Sequence, residues 1–290
     1  MRNLFVGLLA LPAIFALSEA IGFRAHNRNN GAIISSGQRG EFLVHVPRGY
    51  DPTRPTPLVI SLHGAGGWPV QQMETSRWNA LADEQRFIVA YPAASPNGGP
   101  RIWRDGDVRF IADLIDALEH TYNIDRKRIY ANGLSNGGGM SFALSCTLSD
   151  RIAAVGLVAA AQSLPWIWCN DRRAVPMIDF HGTADPVVPY NGGVSWVTAQ
   201  EFPSVPIWAA KWARRNKCAA SAESRVASDV VLREYTRCQN DATVALYTIA
   251  GGGHTWPGGE PLPEFLVGRT TGSIDATRLM WAFFLRHPLS

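Results

Sequence analysis

The chain has 290 residues, of which 46% are apolar and 18% charged. That composition excludes a disordered protein and leaves ample material for a packed core. Its net charge of +3 comes from interleaved acids and bases, and the densest basic stretch, residues 211–217, is broken by Trp212, Ala213 and Asn216. Such a stretch is a solvated helix face, so neither a nucleic-acid partner nor a charged membrane surface is expected.

In chain order, the N-terminus comes first. Arg2, an almost wholly apolar run over residues 4–17, and Ser18-Glu19-Ala20 have the order of a secretory signal peptide. The run is shorter than the roughly 20 residues a spanning helix needs. Residues 1–20 are therefore expected to be removed, with a secreted or periplasmic protein and no membrane span in the mature form. Residues 21–40 are polar and rich in Gly and Asn, and read as a loose lead-in.

From residue 41 to 290 short apolar runs alternate with amphipathic ones. Strands are expected at 41–46, 58–62, 87–91, 128–131, 152–158, 175–180 and 243–249. Helices are expected at 75–86, 107–122, 136–148, 207–216 and 274–285. In the second of these Val108, Ile111, Leu114, Ile115 and Leu118 recur at spacings of three and four. Strands alternating with helices argue a single α/β domain over 41–290 with a mainly parallel sheet.

Residues 133–137 read Gly-Leu-Ser-Asn-Gly, a G-x-S-x-G. A chain of this length shows that pattern by chance about one time in ten. Its position after a strand and at the start of a helix is what a nucleophile elbow requires, and makes Ser135 the candidate nucleophile. A serine hydroxyl needs a base, and the base an orienting acid, in the order Ser, Asp or Glu, His for such a sheet. His254, in Gly251-Gly252-Gly253-His254 after the last strand, is the candidate base; His287 sits beyond the last helix. Asp185 follows the strand at 175–180 and is preferred as the acid over Asp179, which lies inside it. The strand at 58–62 runs into His63-Gly64-Ala65-Gly66-Gly67, a loop able to approach a ligand closely. The oxyanion donors expected are the amide of Asn136 and that of Ala65, with Gly64 or Gly66 as the alternatives to Ala65 and His63 structural.

The four cysteines, Cys146, Cys169, Cys218 and Cys238, read as two disulfides in an exported chain, with three pairings open. Paired Cys-x-x-Cys or His-x-x-x-His spacing is missing, as is a Gly-rich phosphate loop followed by Lys, so no metal site and no phosphate-loop site is expected.

Four segments together, His63-Gly64-Ala65-Gly66-Gly67, residues 130–138, residues 181–190 and residues 252–258, resemble the secreted polyhydroxybutyrate-depolymerase-like esterases. These are similar to feruloyl and acetylxylan esterases of carbohydrate esterase family 1. The resemblance covers about residues 38–286. It implies an α/β-hydrolase fold, no cofactor, a Ser135–His254–Asp185 triad, and the neighbour pairings Cys146–Cys169 and Cys218–Cys238. One departure is the loop at 93–106, which is short for the family and has no cysteine.

The chemistry implied is hydrolysis of a small or polymeric carboxylic ester through an acyl-enzyme. Of the ten tryptophans, Trp68 and Trp256 lie beside the oxyanion loop and the base. Both are expected to touch substrate, which favours feruloyl-type esters over an aliphatic polyester. The rivals are a secreted serine peptidase on the same fold and a non-catalytic polymer-binding protein.

Overall fold

In a computed structural model that describes residues 29–95, 99–160 and 166–290, the first two strands form a hairpin. β1 (Gly31–Ser35) and β2 (Gln38–His45) pair antiparallel with Ser35 opposite Gln38. Ser36 and Gly37 make the turn, at φ 49° and 76°, as a two-residue type I′ connection needs. Residues 31–40 are thus paired strand and turn, not a loose lead-in. Ser36, Gln38 and Arg39 face solvent at the sheet edge, while Ala32-Ile33-Ile34 is too short a run to show a period. The expected signal segment, residues 1–20, lies outside the described residues.

β3 (Thr56–Leu62) is buried on both faces. The helix expected at 75–86 is two: α1 (Pro69–Ser76) and α2 (Trp78–Gln85), divided by Arg77 at φ 56°. α1 begins on a proline, which suits a first helical position because it has no N–H to satisfy. The remaining elements, in chain order, are β4 (Ile88–Pro92), α3 (Asp107–Thr121), β5 (Ile124–Leu134), α4 (Asn136–Thr147), β6 (Ala154–Val158) and β7 (Met177–Gly182). A small hairpin of β8 (Gly193–Val194) and β9 (Glu201–Phe202) precedes α5 (Val205–Arg215). Then come β10 (Ala220–Ala227), β11 (Val230–Thr236), β12 (Val244–Ile249), α6 (Glu264–Val267) and α7 (Ala276–Leu285).

Ten strands form one sheet in the order β1-β2-β4-β3-β5-β6-β7-β12-β11-β10. The six from β4 to β12 run parallel, and an antiparallel pair flanks them at each end. The pleat sorts each strand between two cores. Leu58, Ile60 and Leu62 join Ile111, Leu114, Phe142, Trp208 and Trp212 on one face. Val59 joins Trp78, Phe87, Tyr130, Trp281 and Phe284 on the other. Each such side chain, fully buried, contributes about 1.5–3 kcal/mol.

Two disulfides pin the first core from outside. Cys146–Cys169 ties the end of α4 to the 3-10 turn Trp166–Trp168, and Cys218–Cys238 ties the end of α5 to the end of β11. This is the neighbour pairing that the family resemblance implies. Among the described residues, no helix is long and apolar enough to cross a membrane.

Candidate active site

β5 ends at Leu134 and α4 begins at Asn136, so Ser135 sits alone between strand and helix at φ 55°, ψ −119°. A non-glycine residue held there costs of order 1–3 kcal/mol, which the surroundings must offset. Its amide donates to the Val158 carbonyl (2.9 Å), and its carbonyl accepts from Gly139 N–H (3.1 Å). The flanking glycines are sterically required. A Cβ at Gly133 would lie 2.3 Å from the Gly137 carbonyl carbon, and one at Gly137 would lie 2.3 Å from the Leu62 oxygen. Ser135 remains half-exposed at the positive end of α4, whose first-turn amides have no partner within the helix.

The 63–67 loop meets this elbow. A methyl group added at Gly64 would stand 3.5 Å from the Ser135 Cβ. The loop is a turn closed by Gly67 N–H on the Gly64 carbonyl (3.0 Å), with Ala65 exposed at its tip. His63 is buried beneath it. Its Nε2 accepts from the Ala94 amide (3.1 Å), so the proton is on Nδ1, which donates to the Gly64 carbonyl (2.7 Å). Burial, partly opposed by that bond, lowers its pKa to about 4 and keeps the ring neutral.

Residues 101–103 back the same turn. The Trp103 indole N–H donates to the His63 carbonyl (2.9 Å). The Asn136 side chain takes both backbone groups of Trp103, accepting its N–H (2.7 Å) and donating to its carbonyl (3.3 Å). Gly66 N–H donates to the Arg101 carbonyl (2.7 Å), and the Arg101 guanidinium lies 4.0 Å over the Trp68 ring. Sequence reasoning places Trp103 on a loop near the site, as one of the tryptophans that could line a substrate cleft; the geometry instead shows it joining the Asn136 side chain to the His63 carbonyl at the base of the 63–67 loop.

The loops after β7 and β12 are docked together by Thr183 N–H on the Ile249 carbonyl and Ala184 N–H on the Gly252 carbonyl, each 2.9 Å. That docking brings His254 Nδ1 to 2.8 Å from Asp185 Oδ2. Asp185 Oδ1 accepts the amides of Val187 (2.7 Å) and Val188 (2.8 Å). Burial works against ionisation of Asp185. The His254 charge and bonds from His181 and His254 outweigh it, and hold the carboxyl well below the usual range. An ionised Asp185 fixes the His254 proton on Nδ1 and leaves the Nε2 lone pair as a base. β6 alone separates the Ser135 strand from β7, so all three residues stand at carboxyl ends of neighbouring parallel strands. His287, by contrast, caps the end of α7 on the Phe283 carbonyl.

Trp256 is not in the cleft. It is 1% exposed in the second core, and its indole N–H is taken by Thr277 Oγ1 (2.9 Å), which itself donates to the Ser76 carbonyl. The closing helix covers a residue that its place in the sequence, two after His254, had suggested was open. Trp68 is 7% exposed, with the Arg101 guanidinium lying over its ring; little of it remains for a ligand.

Comparison with known proteins agrees with this architecture. The "Esterase PHB depolymerase" family profile matches residues 41–164. Feruloyl esterase B of Piromyces equi is 32% identical over 73% of this chain, a match that spans 42% of that protein's own length. A putative esterase, NocK, of Nocardia uniformis subsp. tsuyamanensis is 30% identical over 87% of this chain and 81% of its own. Among solved structures, acetyl xylan esterase from Aspergillus awamori superposes with a TM-score of 0.61 at 15% identity, covering 88% of this chain and 98% of that one. The parallel sheet, the flanking helices and that superposition are those of the α/β-hydrolase fold. By its matched profile and by a relative aligned along most of both lengths, the chain belongs to the polyhydroxybutyrate-depolymerase-like and feruloyl esterase family.

Proposed function

We propose that the protein is a carboxylic-ester hydrolase in which Ser135 is the nucleophile, His254 the base and Asp185 the orienting acid. The observation that carries this is the 2.8 Å bond from His254 Nδ1 to a buried, ionised Asp185, in the same sheet end as a serine held at positive φ on a helix N-terminus. In the first half-reaction Ser135 Oγ bonds to the ester carbonyl carbon as its proton passes to His254 Nε2. The oxyanion is received by the amides of Asn136 and Ala65. The tetrahedral species then breaks its bond to the alcohol oxygen, which leaves with the proton from His254. Water repeats the sequence on the acyl-serine and releases the acid.

Feruloyl and acetyl esters of polysaccharides, or hydroxybutyrate-type polyesters, are the substrate class. Support comes from the names of the relatives, a feruloyl esterase and an acetyl xylan esterase. With Trp256 in the core, aromatic stacking no longer favours one of these over another. Residues 1–20 serve as an export signal on this reading, and the two disulfides suit an oxidising compartment.

Ser135→Ala, assayed on p-nitrophenyl acetate, methyl ferulate, acetylated xylan, a hydroxybutyrate oligomer and a peptide p-nitroanilide, tests the proposal. Loss of kcat by about 10³-fold or more on the esters is expected, with no turnover of the anilide by the unaltered protein. Ester turnover that survives Ser135→Ala, or a preference for the anilide, would refute it.

A further inference from the structure

The loop that carries His254 is held differently on its two sides. Ahead of His254, the amides of Gly253 and His254 itself donate to the Arg269 and Val267 carbonyls. Behind it, the chain passes Trp256, turns with Gly259 N–H on the Trp256 carbonyl (3.0 Å), and meets the end of α1.

α1 is built to receive it. A helix running unbroken from Pro69 to Gln85 would close the Thr75 and Ser76 carbonyls on the amides of Asn79 and Ala80. Arg77 at φ 56° interrupts that helix and leaves both carbonyls to other partners. Glu260 N–H takes the first (3.1 Å), and Thr277 Oγ1 donates to the second (2.6 Å). Thr277 Oγ1 in turn accepts the Trp256 indole N–H (2.9 Å). Ser76, Trp256 and Thr277 are all buried, so a bond broken among them leaves its groups unpaired. The fit is close: a Cβ at Gly259 would lie 2.2 Å from the Thr75 oxygen and 2.9 Å from the Trp256 indole. The Arg77–Glu260 ion pair at this joint is more than half exposed on both sides and adds little. The other end of α1 leads back to the 63–67 loop. Trp68, which follows that loop, accepts the Gln72 amide on its carbonyl (3.0 Å), and the buried Gln72 side chain donates to Ser61 Oγ on β3 (3.0 Å). One short helix thus stands between the 63–67 loop and the loop of His254.

We propose that Trp256 and Thr277 are positioning residues for His254. The chain of bonds from the Trp256 indole through Thr277 to the Ser76 carbonyl fixes the far side of the His254 loop to α1, so that base and oxyanion donors are set from one helix. Neither side chain touches substrate. Asp185 fixes the tilt of the imidazole through Nδ1, and the Trp256 anchor fixes the backbone from which that ring hangs. The proposal rests on His254 being the base for Ser135.

The test compares Thr277→Val, which keeps the volume and loses the hydroxyl, with Thr277→Ser, which keeps the hydroxyl, and with Trp256→Phe, which loses the indole N–H. Kinetics on p-nitrophenyl acetate are referred to active sites counted by fluorophosphonate labelling carried to completion, so that unfolded protein does not enter the rate. Thr277→Val and Trp256→Phe should each lower kcat per site about tenfold, with KM changed by less than about twofold. Thr277→Ser should recover most of the rate. The double variant Trp256→Phe/Thr277→Val should fall no further than the slower single one, because both cut one chain. Unchanged kcat per site in Thr277→Val, or an equal loss in Thr277→Ser, would overturn the proposal. Hydrogen exchange on the unaltered protein covers variants that fail to fold. The Trp256 indole N–H and the His254 amide should show one protection factor, as groups released by a single opening. A His254 amide exchanging about tenfold faster than the indole, or more, would overturn the proposal, since the loop would then open at His254 with its anchor closed. That measurement needs no turnover. A protein without esterase activity would sink the proposed function and leave the anchor to be read from exchange alone.

Discussion

At the residue scale, the pieces around Ser135 depend on side chains whose polar atoms are engaged by backbone groups. Asn136 supplies a backbone amide to the candidate oxyanion site while its side chain holds both polar groups of the Trp103 backbone. Asn136→Ala keeps the amide but strands those two groups. A stability loss of about 1–3 kcal/mol is expected from the unpaired groups, together with a fall in kcat larger than the rise in KM, because the 63–67 loop loses its backing. Urea unfolding and steady-state kinetics check the two parts. His63 gives a pH signature. Its folded pKa of about 4 lies below the usual 6.5, so between those values the unfolded chain binds more protons than the folded one. Stability is complete above pH 6.5 and is lost as the pH falls toward 4, by about 3 kcal/mol in all. Denaturation midpoints followed from pH 7 to pH 4 should fall in that window, and should fall less in His63→Asn. The residues that carry the proposed chemistry were legible because nucleophile, acid and base must stand in order after particular strands. The structural role of Trp103 and the burial of Trp256 were not, since each depends on which loop covers which, and a tryptophan reads alike in either setting.

At the element scale, the centre of the sheet was readable and its edges were not. β3, β4, β6, β7 and β12 are mainly apolar and buried on both faces, and β5 is buried from Ile129 to Gly133, the usual state of parallel strands. β10 reads Ala-Ser-Ala-Glu-Ser-Arg-Val-Ala and is exposed along nearly its whole length, because it is an edge strand with one neighbour. It has no apolar face to announce it, and β11 was missed with it. The omission matters, because their shared turn holds the segment against which the His254 loop is bonded. Asp229 in that turn accepts from Arg269 (2.9 Å) and Thr271 (2.8 Å). The 267–271 segment in turn takes the amides of Gly253, His254 and Gly258 on its carbonyls. Bonds from Ser273, Arg269 and Thr271 hold the Asp229 carboxyl down to about 2, so the clasp is ionised throughout the neutral range. Asp229→Asn should weaken it. Hydrogen exchange at the Gly253 and His254 amides is expected to quicken about tenfold, with a several-fold lower kcat and a nearly unchanged melting temperature. Unaltered exchange there would mean that Asp229 has no hold on the His254 loop.

At the scale of the whole molecule, two cores on either face of one ten-stranded sheet keep the carboxyl ends of the strands for chemistry. The disulfides guard one of those cores. Each closes a loop of about twenty residues, worth roughly 3 kcal/mol in the chain-entropy view. Cys146 and Cys169 bracket the α4 end farthest from Ser135, while Cys218 and Cys238 tie α5 to β11. Replacing either pair with serine should lower the unfolding free energy by about 2–4 kcal/mol and leave KM for a short ester unchanged, as calorimetry and kinetics would show. The α/β alternation in the sequence predicted this layering, whereas the order of strands across the sheet had to come from the structure.

The central claim is that Ser135 is the residue acylated. Reacting the protein with a fluorophosphonate and measuring the intact mass, then mapping the modified peptide, tests this most directly. One adduct is expected, on Ser135, formed slowly or not at all in His254→Ala and absent in Ser135→Ala. An adduct on any other serine, or labelling that persists in Ser135→Ala, would contradict the account.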